Sequence, residues 1–467
     1  MPYFDGDDIF STRTIPERVM DNIMLPSGTG QQITLQPTTP TQETPPTTQA
    51  DSPSNLAPLE PPALARVVDQ ATAVQVVRET LVLANDPYVI ERGLIELFAD
   101  NAIARAASIS ATGNNIIVSR LTLEPLQAAA VDTRAAINAM FQAEGYTPRR
   151  ELNAGVSIVV TEAANIEVRV EPSAAEMAVN MVQIRTPGYQ LSFPADFIEN
   201  NVSTQPLTIT VTTGNSYSVH ASRQMDEPVR LSVPPQAGNT TYQTLRNTTT
   251  GAAVTTRYNY TTGNLDAWVR ESGTCVVEEN RVDFTDIQNL SREMQEAIRV
   301  LAAHELITGT GGGNFSPGSS VNRAQMAAMV TRLLGSLDPN ADGNFNDVRR
   351  ADWFFGAAGS ANRHNIMTGT GGGNFSPNAT LPRDQLTVIS ARVLMNQMGY
   401  RLPSNPTTYL QAFQDRSAMA PWSTQYIALA SRENIVIRRA DGQFRPRDNM
   451  NRGDVAVMLY RLYLLIW

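Results

Sequence analysis

The chain has 467 residues, with 36 basic side chains against 45 acidic ones and a net charge of −9 at pH 7. Every basic side chain is arginine, so the lysine-dependent chemistries are excluded: the phosphate-loop lysine and the Schiff-base and pyridoxal reactions. One cysteine and three histidines leave no cysteine-rich zinc site and no disulfide framework. We therefore expect no enzyme, no metal and no cofactor, and nothing indicates a nucleic-acid partner.

The N-terminal segment is polar. Residues 1–62 include a Pro/Thr tract from Pro37 to Pro62, which has too few apolar groups to offset the entropy of ordering and predicts a flexible arm and linker. Ile9-Phe10 and Ile23-Met24-Leu25 are apolar islands in this arm that could dock on a partner. Met1 to Leu25 lacks the apolar stretch of a secretory leader, and no segment of the chain is apolar over a membrane-spanning length.

A mainly helical domain is predicted over residues 63–150. Apolar residues recur at helical spacing between Leu64 and Val77 and again between Ile90 and Ile103. A third helix is predicted from Asp132 to Gly145, where the glycine ends it. Asn115 to Leu121 is a predicted strand between these helices.

The period changes to two between residues 151 and 280. Apolar and polar residues alternate over Ile166 to Val170, Leu207 to Val211 and Val229 to Val233, and Gly, Pro and Asn turns separate these segments. This pattern predicts antiparallel strands in sandwich-like β spacer modules.

The last part of the chain, residues 281–467, contains three copies of one pattern. Each copy has an aromatic-x-Asp opening, a Gly-rich turn that ends in Phe, and an arginine eight residues after that Phe. The nine residues from Gly309 to Pro317 recur unchanged from Gly369 to Pro377. The copies span residues 284–336, 345–400 and 413–467. A repeat of this size cannot bury its apolar face alone, so the copies should pack together with grooves between them.

Each copy has the spacing of a helix, a Gly-rich loop and a second helix. Ile298, Leu301 and Leu306 fit the first helix, and Met326 and Val330 fit the second. The repeated arginine falls in the first turn of the second helix. A guanidinium there can bind a carboxylate with two bonds, and the helix N-terminus adds donors for the same anion.

This pattern resembles the S-layer homology domain, which is usually met as three copies at one end of a bacterial cell-surface protein. The resemblance covers the chain from Phe284 to its end. It implies an all-α, pseudo-threefold module whose grooves hold a pyruvylated secondary cell-wall polysaccharide, with the helix-start arginine binding the acidic sugar. Arg323, Arg383 and Arg452 occupy that place here.

The resemblance also assigns roles to other residues of each copy. The opening Asp would accept sugar hydroxyls, a Trp would face a sugar ring, and the glycines would let backbone amides approach the ligand. These residues are Asp286, Asp347, Asp415, Trp353, Trp422, Gly309, Gly311, Gly369 and Gly371. The first copy departs from the pattern, because Glu293 stands at its Trp place.

A partial calcium-loop pattern lies between the first two copies. Asp338 to Asn344 matches the first seven places of such a loop, but Arg349 stands where a bidentate Glu is needed. We therefore predict a turn-rich linker and no metal site.

The sequence thus predicts a multidomain α and β chain that ends in an all-α module of three S-layer homology repeats. We expect a non-enzymatic cell-envelope protein at the surface of a cell or of a spore, anchored to an anionic wall polysaccharide. The alternative is a self-assembling subunit of a surface layer or appendage, in which the arm or the β modules dock on a neighbouring copy. A third interpretation is an exported enzyme with its catalytic part in residues 63–280.

Overall fold

The computed structural model describes residues 69–81, 94–111, 113–161, 164–202, 204–259, 262–437 and 439–465. These residues form a mixed α/β body, from Asp69 to Glu279, and a helical repeat module, from Phe284 to Leu465. The arm predicted over residues 1–62, with its apolar islands, lies outside the described residues.

The body contains strands and helices, whereas the repeat module is helical. The α-helices are α1 (Gln70–Thr80), α2 (Leu94–Ala106), α3 (Arg120–Ala143), α4 (Ala195–Val202), α5 (Arg292–Ala303), α6 (Arg323–Leu333), α7 (Phe355–Arg363), α8 (Arg383–Met398), α9 (Thr407–Leu410), α10 (Pro421–Arg432) and α11 (Arg452–Leu465). The strands are β1 (Ser108–Ala111), β2 (Asn115–Val118), β3 (Gly155–Val160), β4 (Ile166–Val170), β5 (Met181–Arg185), β6 (Gln190–Pro194), β7 (Leu207–Thr213), β8 (Tyr217–Ala221), β9 (Val229–Val233), β10 (Gln243–Asn247), β11 (Ala253–Val254), β12 (Thr256–Asn259), β13 (Asn264–Val269) and β14 (Gly273–Glu279). Among the described helices, none has both the length and the apolar character needed to cross a membrane.

Two mixed sheets form the body. In the described residues, one sheet has the order β1-β3-β5-β6-β9-β13-β12 and the other the order β11-β10-β14-β8-β7-β4-β2. The pairs β1–β3, β3–β5 and β2–β4 are parallel, so the prediction of antiparallel strands was wrong for these pairs. Alternation predicts which face of a strand is buried, but it does not encode the direction of the partner strand.

The helices and sheets of the body share one apolar core. Val77 of α1, Phe141 of α3, Val156 of β3 and Val168 of β4 are fully buried in the same cluster. The first three helices therefore bury their apolar faces against the sheets that follow them in sequence. β1 and β2, which come from the segment predicted as mainly helical, form one edge of each sheet.

The third helix begins earlier than its periodicity predicted. It starts at Arg120, because Ser119 and Thr122 form a capping box that satisfies the first backbone donors. The predicted strand from Asn115 to Leu121 accordingly ends at Val118. Gly145, at φ 72°, follows the helix as predicted.

The three repeats close on one another through backbone hydrogen bonds. Leu381 N donates to Val321 O at 3.2 Å, Met450 N to Leu381 O at 3.1 Å, and Val321 N to Met450 O at 3.2 Å. Each of these residues lies just before the second helix of its repeat. The resulting cycle of first to second, second to third and third to first repeat makes a central hub.

The repeat module contacts the body through the same position of the repeat in all three copies. His304, His364 and Glu433 each follow the first helix of a repeat. His304 Nε2 lies 2.9 Å from Thr241 O, His364 Nε2 lies 3.9 Å from Glu227, and Glu433 pairs with Arg149 at 2.6 Å. All three repeats therefore contact the body, and these contacts connect the two parts of the chain.

His304 should make folding sensitive to acid. Burial, with a smaller contribution from Arg257, lowers the pKa of His304 to about 4. In the unfolded chain the His304 imidazole takes up a proton near pH 6.5, whereas in the folded protein it stays neutral down to about pH 4. The stabilisation by neutral His304 is therefore lost as the pH falls from about 6.5 towards 4. Urea unfolding at pH 7 and at pH 4.5 measures this effect. Between these two pH values, the free energy of unfolding should fall by about 2 kcal/mol more in the wild type than in His304→Gln. Equal losses would contradict this assignment.

Candidate functional site

The helix-start arginines tie each repeat to the next one. Arg323 Nε donates to Phe375 O at 2.6 Å and its Nη2 to Thr368 O at 2.7 Å. Arg452 makes the equivalent bonds to Phe315 O at 2.9 Å and to Thr308 O at 2.6 Å.

Arg383 of the second repeat donates through Nη2 to Ile437 O of the third. All three guanidinium groups also lie over the turn Phe of the next repeat, at 4.8, 5.1 and 4.5 Å from the ring centres of Phe375, Phe444 and Phe315. The arginines therefore close the cycle of repeats a second time, outside the hub.

The side chains of these arginines lie largely inside the module. Arg323 is 7 % exposed and Arg383 is 0 % exposed. Burial, aided by nearby Arg439, lowers the pKa of Arg383 to about 10. Within the described residues, the Nη1 atoms of Arg323 and Arg452 and the buried Nε of Arg383 have no hydrogen-bond partner, whereas Arg383 Nη1 contacts Met450 Sδ. Backbone carbonyls thus engage two nitrogens of Arg323 and two of Arg452, but only one nitrogen of Arg383.

The helix N-termini are engaged in the same way. The N–H groups of Arg323 and Ala324, which begin α6, donate to Ala379 O and Pro377 O at 3.0 Å each. The first two N–H groups of α8 and of α11 make the equivalent bonds to the next repeat. Neighbouring carbonyls therefore already satisfy the first two of the donors that the sequence analysis assigned to an anion site.

The opening aspartates hold the Gly-rich turns. Asp286 accepts the N–H groups of Phe315 and Ser316 at 2.8 and 2.7 Å, and Asp347 accepts those of Phe375 and Ser376 at 2.7 Å each. Asp415 binds its own turn in the same way. Desolvation raises the pKa of Asp286. The backbone donors and Arg452 together lower this pKa by more than desolvation raises it, so the net pKa lies below the usual value. Both oxygens of each carboxylate thus fix the turn.

Removing one of these carboxylates should destabilise the repeats. We expect Asp347→Ala to lower the free energy of unfolding by about 2–3 kcal/mol, because two backbone donors lose a charged acceptor. Asp342→Ala is the matched control, since exposed Asp342 accepts a single local N–H, from Asn344. Urea titration should show a shift of less than about 1 kcal/mol for this control, and an equal effect of both changes would contradict the assignment.

The four predicted glycines divide into two kinds. A Cβ on Gly309 would lie 2.7 Å from the Phe284 ring, and one on Gly369 would lie 2.8 Å from Asn374 O, so these positions need close packing. Gly311 and Gly371 have φ of 102° and 109°, are exposed, and have open space around the Cβ position. A ligand could approach the backbone at the second pair.

The two tryptophans have the exposure that a sugar contact needs. Trp353 is 66 % exposed and Trp422 is 53 % exposed, and both stand at the start of a first helix. In the first repeat, Glu293 instead forms a two-bond ion pair with Arg461 of the third repeat.

The residues of the partial calcium loop cap local turns. Asp338 accepts the N–H of Asn340 and pairs with Arg363 at 3.1 Å, and Asp342 accepts the N–H of Asn344. In the described part of the chain, no group of three His, Cys, Asp or Glu side chains is placed to hold a metal ion.

Sequence reasoning missed a second repeated arginine. Arg332, Arg392 and Arg461 each stand nine residues after the helix-start arginine of their repeat. It also missed the repeated interface position of His304, His364 and Glu433. Aligning the three copies over their full length would have found the arginines, but the role of the interface position depends on the body.

The family model of the S-layer homology domain matches residues 283–327, 344–387 and 412–456. The chain therefore carries three S-layer homology repeats, which confirms the prediction from their spacing.

Similar proteins include an amylopullulanase of Thermoanaerobacterium thermosulfurigenes, 28% identical over 44% of this chain and 11% of that protein. The surface-layer 125 kDa protein of Lysinibacillus sphaericus is 28% identical over 38% of this chain and 15% of its own length. A cellulosome-anchoring protein of Acetivibrio thermocellus is 22% identical over 33% of this chain and 34% of its own length. The matches thus span about a third or less of each relative.

Proposed function

We propose that this chain is a cell-envelope protein that attaches to an acidic, pyruvylated secondary wall polysaccharide through grooves between its S-layer homology repeats. The observation that carries the proposal is the pair Trp353 and Trp422. These two large aromatic rings stand at equivalent places of neighbouring repeats and are exposed to solvent. Trp offers a flat apolar face on which a sugar ring can pack, and both rings are exposed enough to do so.

Charge supports an anionic partner. From Phe284 onward, the sequence contains 18 arginines and 14 acidic residues, whereas the whole chain carries a net charge of −9. The basic excess therefore lies in the repeats, and it would favour the approach of a polyanion to this part of the protein. Relatives named as surface-layer and cellulosome-anchoring proteins agree with association at the cell surface.

The body is proposed to be a non-catalytic spacer, although some relatives are named as glycosidases. A cavity of about 460 Å³ lies between the first sheet and the repeat module, and carboxylates line it. Asp100 pairs with Arg150 at 2.7 Å, Asp266 accepts from Ser232 and Asn259, and Glu227 pairs with Arg270 at 3.5 Å. Burial raises the pKa of Asp100 and of Glu227. Because these three carboxylates are already paired, we assign them to the junction of the two parts rather than to acid–base chemistry.

A sedimentation assay with purified cell walls tests this proposal. The full chain should pellet with native walls and should stay in the supernatant with walls whose pyruvyl groups were removed by mild acid. Equal retention by both wall preparations would show that the acidic sugar is not what the protein recognises. Sugar analysis of both wall preparations is the control, because it shows whether the acid-treated walls keep the polysaccharide itself.

One surface favours the second candidate function, self-assembly. Ile109 of β1 is 39 % exposed, Ile117 of β2 is 54 % exposed, and Leu121 just beyond them is 84 % exposed. β1 and β2 are edge strands, so an apolar strand from a neighbouring copy could extend either sheet. Concentration-dependent sedimentation of the full chain, beside Ile117→Lys, tests this candidate, and a monomer at all concentrations would oppose it.

A further inference from the structure

The grooves of the repeat module are chemically unequal. The second helix of each repeat packs against the first helix of the next, and the surface along each of these three junctions is here called a groove. The first groove is formed by α6 and α7, the second by α8 and α10, and the third by α11 and α5.

The third groove already contains a bound carboxylate, which comes from the chain itself. Arg461 Nε donates to Glu293 Oε1 at 2.6 Å and Arg461 Nη2 donates to Oε2 at 2.9 Å. The side chains are only 15 % and 16 % exposed, and Arg461 Nη1 donates to the carbonyls of Asn434 and Val436. This is the geometry of a two-bond guanidinium–carboxylate complex in a partly dry site.

The other two grooves have the same arginine but no such carboxylate. Arg332 and Arg392 correspond to Arg461 in the repeat register. Arg332 also lies near Glu305, the counterpart of Asn434 in the repeat, but the Glu305 carboxylate pairs with Arg246 at 3.4 Å. Neither guanidinium makes a hydrogen bond or an ion pair within 4.0 Å in the described part of the chain.

The residues that correspond to Glu293 are the exposed tryptophans. Trp353 lies just before α7, which borders the first groove, and Trp422 lies in the first turn of α10, which borders the second. Each of these two grooves therefore combines an arginine that makes no ion pair within 4.0 Å among the described residues and an exposed aromatic ring. The helix-start arginines offer less, because backbone carbonyls already engage two nitrogens of Arg323 and two of Arg452, and Arg383 is fully buried.

We propose that Arg332 with Trp353, and Arg392 with Trp422, form the sites that take the carboxylate and the ring of an acidic sugar, and that Glu293 closes the third groove by filling the place of the ligand carboxylate. This inference rests on the proposed function and adds to it the binding residues and their number. Two grooves bind the polymer, and the third is held shut by an internal ion pair.

Titration calorimetry of the full chain with soluble pyruvylated wall polysaccharide fragments tests the assignment. Arg332→Gln and Arg392→Gln should each remove one of two sites, and the double variant should weaken binding at least about tenfold, since a charged two-bond contact is lost. Arg461→Gln is the matched control, because its site is already filled, and it should leave the affinity and the number of sites unchanged. Thermal unfolding of each variant checks that the fold is retained.

A gain-of-site variant complements these losses. Glu293→Trp frees Arg461 and supplies the missing aromatic ring, so the number of sites should rise from two to three. Wild-type affinity in the Arg332→Gln/Arg392→Gln double variant, or an equal loss in Arg461→Gln, would overturn the inference while leaving the proposed function intact. Binding that is the same for fragments with and without pyruvyl groups would instead refute the proposed function.

Discussion

Arg383→Ala should destabilise the repeat module more than any other single change among its arginines. The variant removes a fully buried side chain, its hydrogen bond to Ile437 O and its contact with the Phe444 ring. A cavity and an unsatisfied carbonyl together should lower the free energy of unfolding by about 3 kcal/mol. Urea unfolding followed by tryptophan fluorescence and by circular dichroism measures this loss.

Arg392→Ala is the matched control for this prediction. It lies on the same helix, is half-buried, and has no hydrogen bond or ion pair among the described residues, so its effect should stay below about 1 kcal/mol. Arg383→Met keeps most of the volume without the donors and should fall between the two. If Arg383→Ala unfolds like the wild type, the arginine does not hold the second and third repeats together.

The double variant Trp353→Ala/Trp422→Ala should have the opposite profile, with a large effect on binding and a small one on stability. Both rings are mostly exposed, so little packing is lost. A central tryptophan of an interface contributes about 2 kcal/mol or more, so the loss of both should reduce wall binding at least about a hundredfold. Wall-binding isotherms and thermal unfolding of the same samples give the two readouts.

Changes at other exposed residues separate a specific contact from a general surface effect. Leu121→Ala, an exposed apolar residue of the body, should leave wall binding unchanged. Unchanged binding in the double tryptophan variant would remove the observation that carries the proposed function. Joint loss of binding and of folding would show that the tryptophans act through the fold.

The repeat module could be predicted from the sequence because its signals are local and occur three times. The spacing from opening Asp to turn Phe to helix-start arginine fixes a helix, a loop and a second helix in each copy. The roles of these residues depend on contacts between copies, which spacing does not encode. Arg323 therefore looked like a ligand residue, although its acceptors, Phe375 O and Thr368 O, belong to the next repeat.

The body was harder to predict, and for a related reason. The alternation of Ile166 to Val170 predicted a strand with one buried face, and β4 has that burial pattern. Its parallel partner β2 lies about fifty residues upstream in a segment whose helices dominate the pattern, and only four residues form that strand. Short edge strands contribute little periodicity, so their pairing follows from the shared core and not from their own sequence.

Glu293 shows what a departure from a repeat pattern can contain. In the sequence it was a missing tryptophan, which weakened the expectation of three equal sites. In the structure the same residue forms an ion pair with Arg461, and this pair identifies the second set of arginines. The departure was therefore more informative about the grooves than the positions that agree.

Hydrogen–deuterium exchange of the full chain, with and without soluble pyruvylated wall polysaccharide, tests the central claim most directly. The polymer should protect the backbone around Trp353 and Trp422, at the starts of α7 and α10, and should leave the exchange of the body and of the segment around Glu293 unchanged. Protection confined to the sheets between Gly155 and Glu279, or equal protection at all three grooves, would contradict the account.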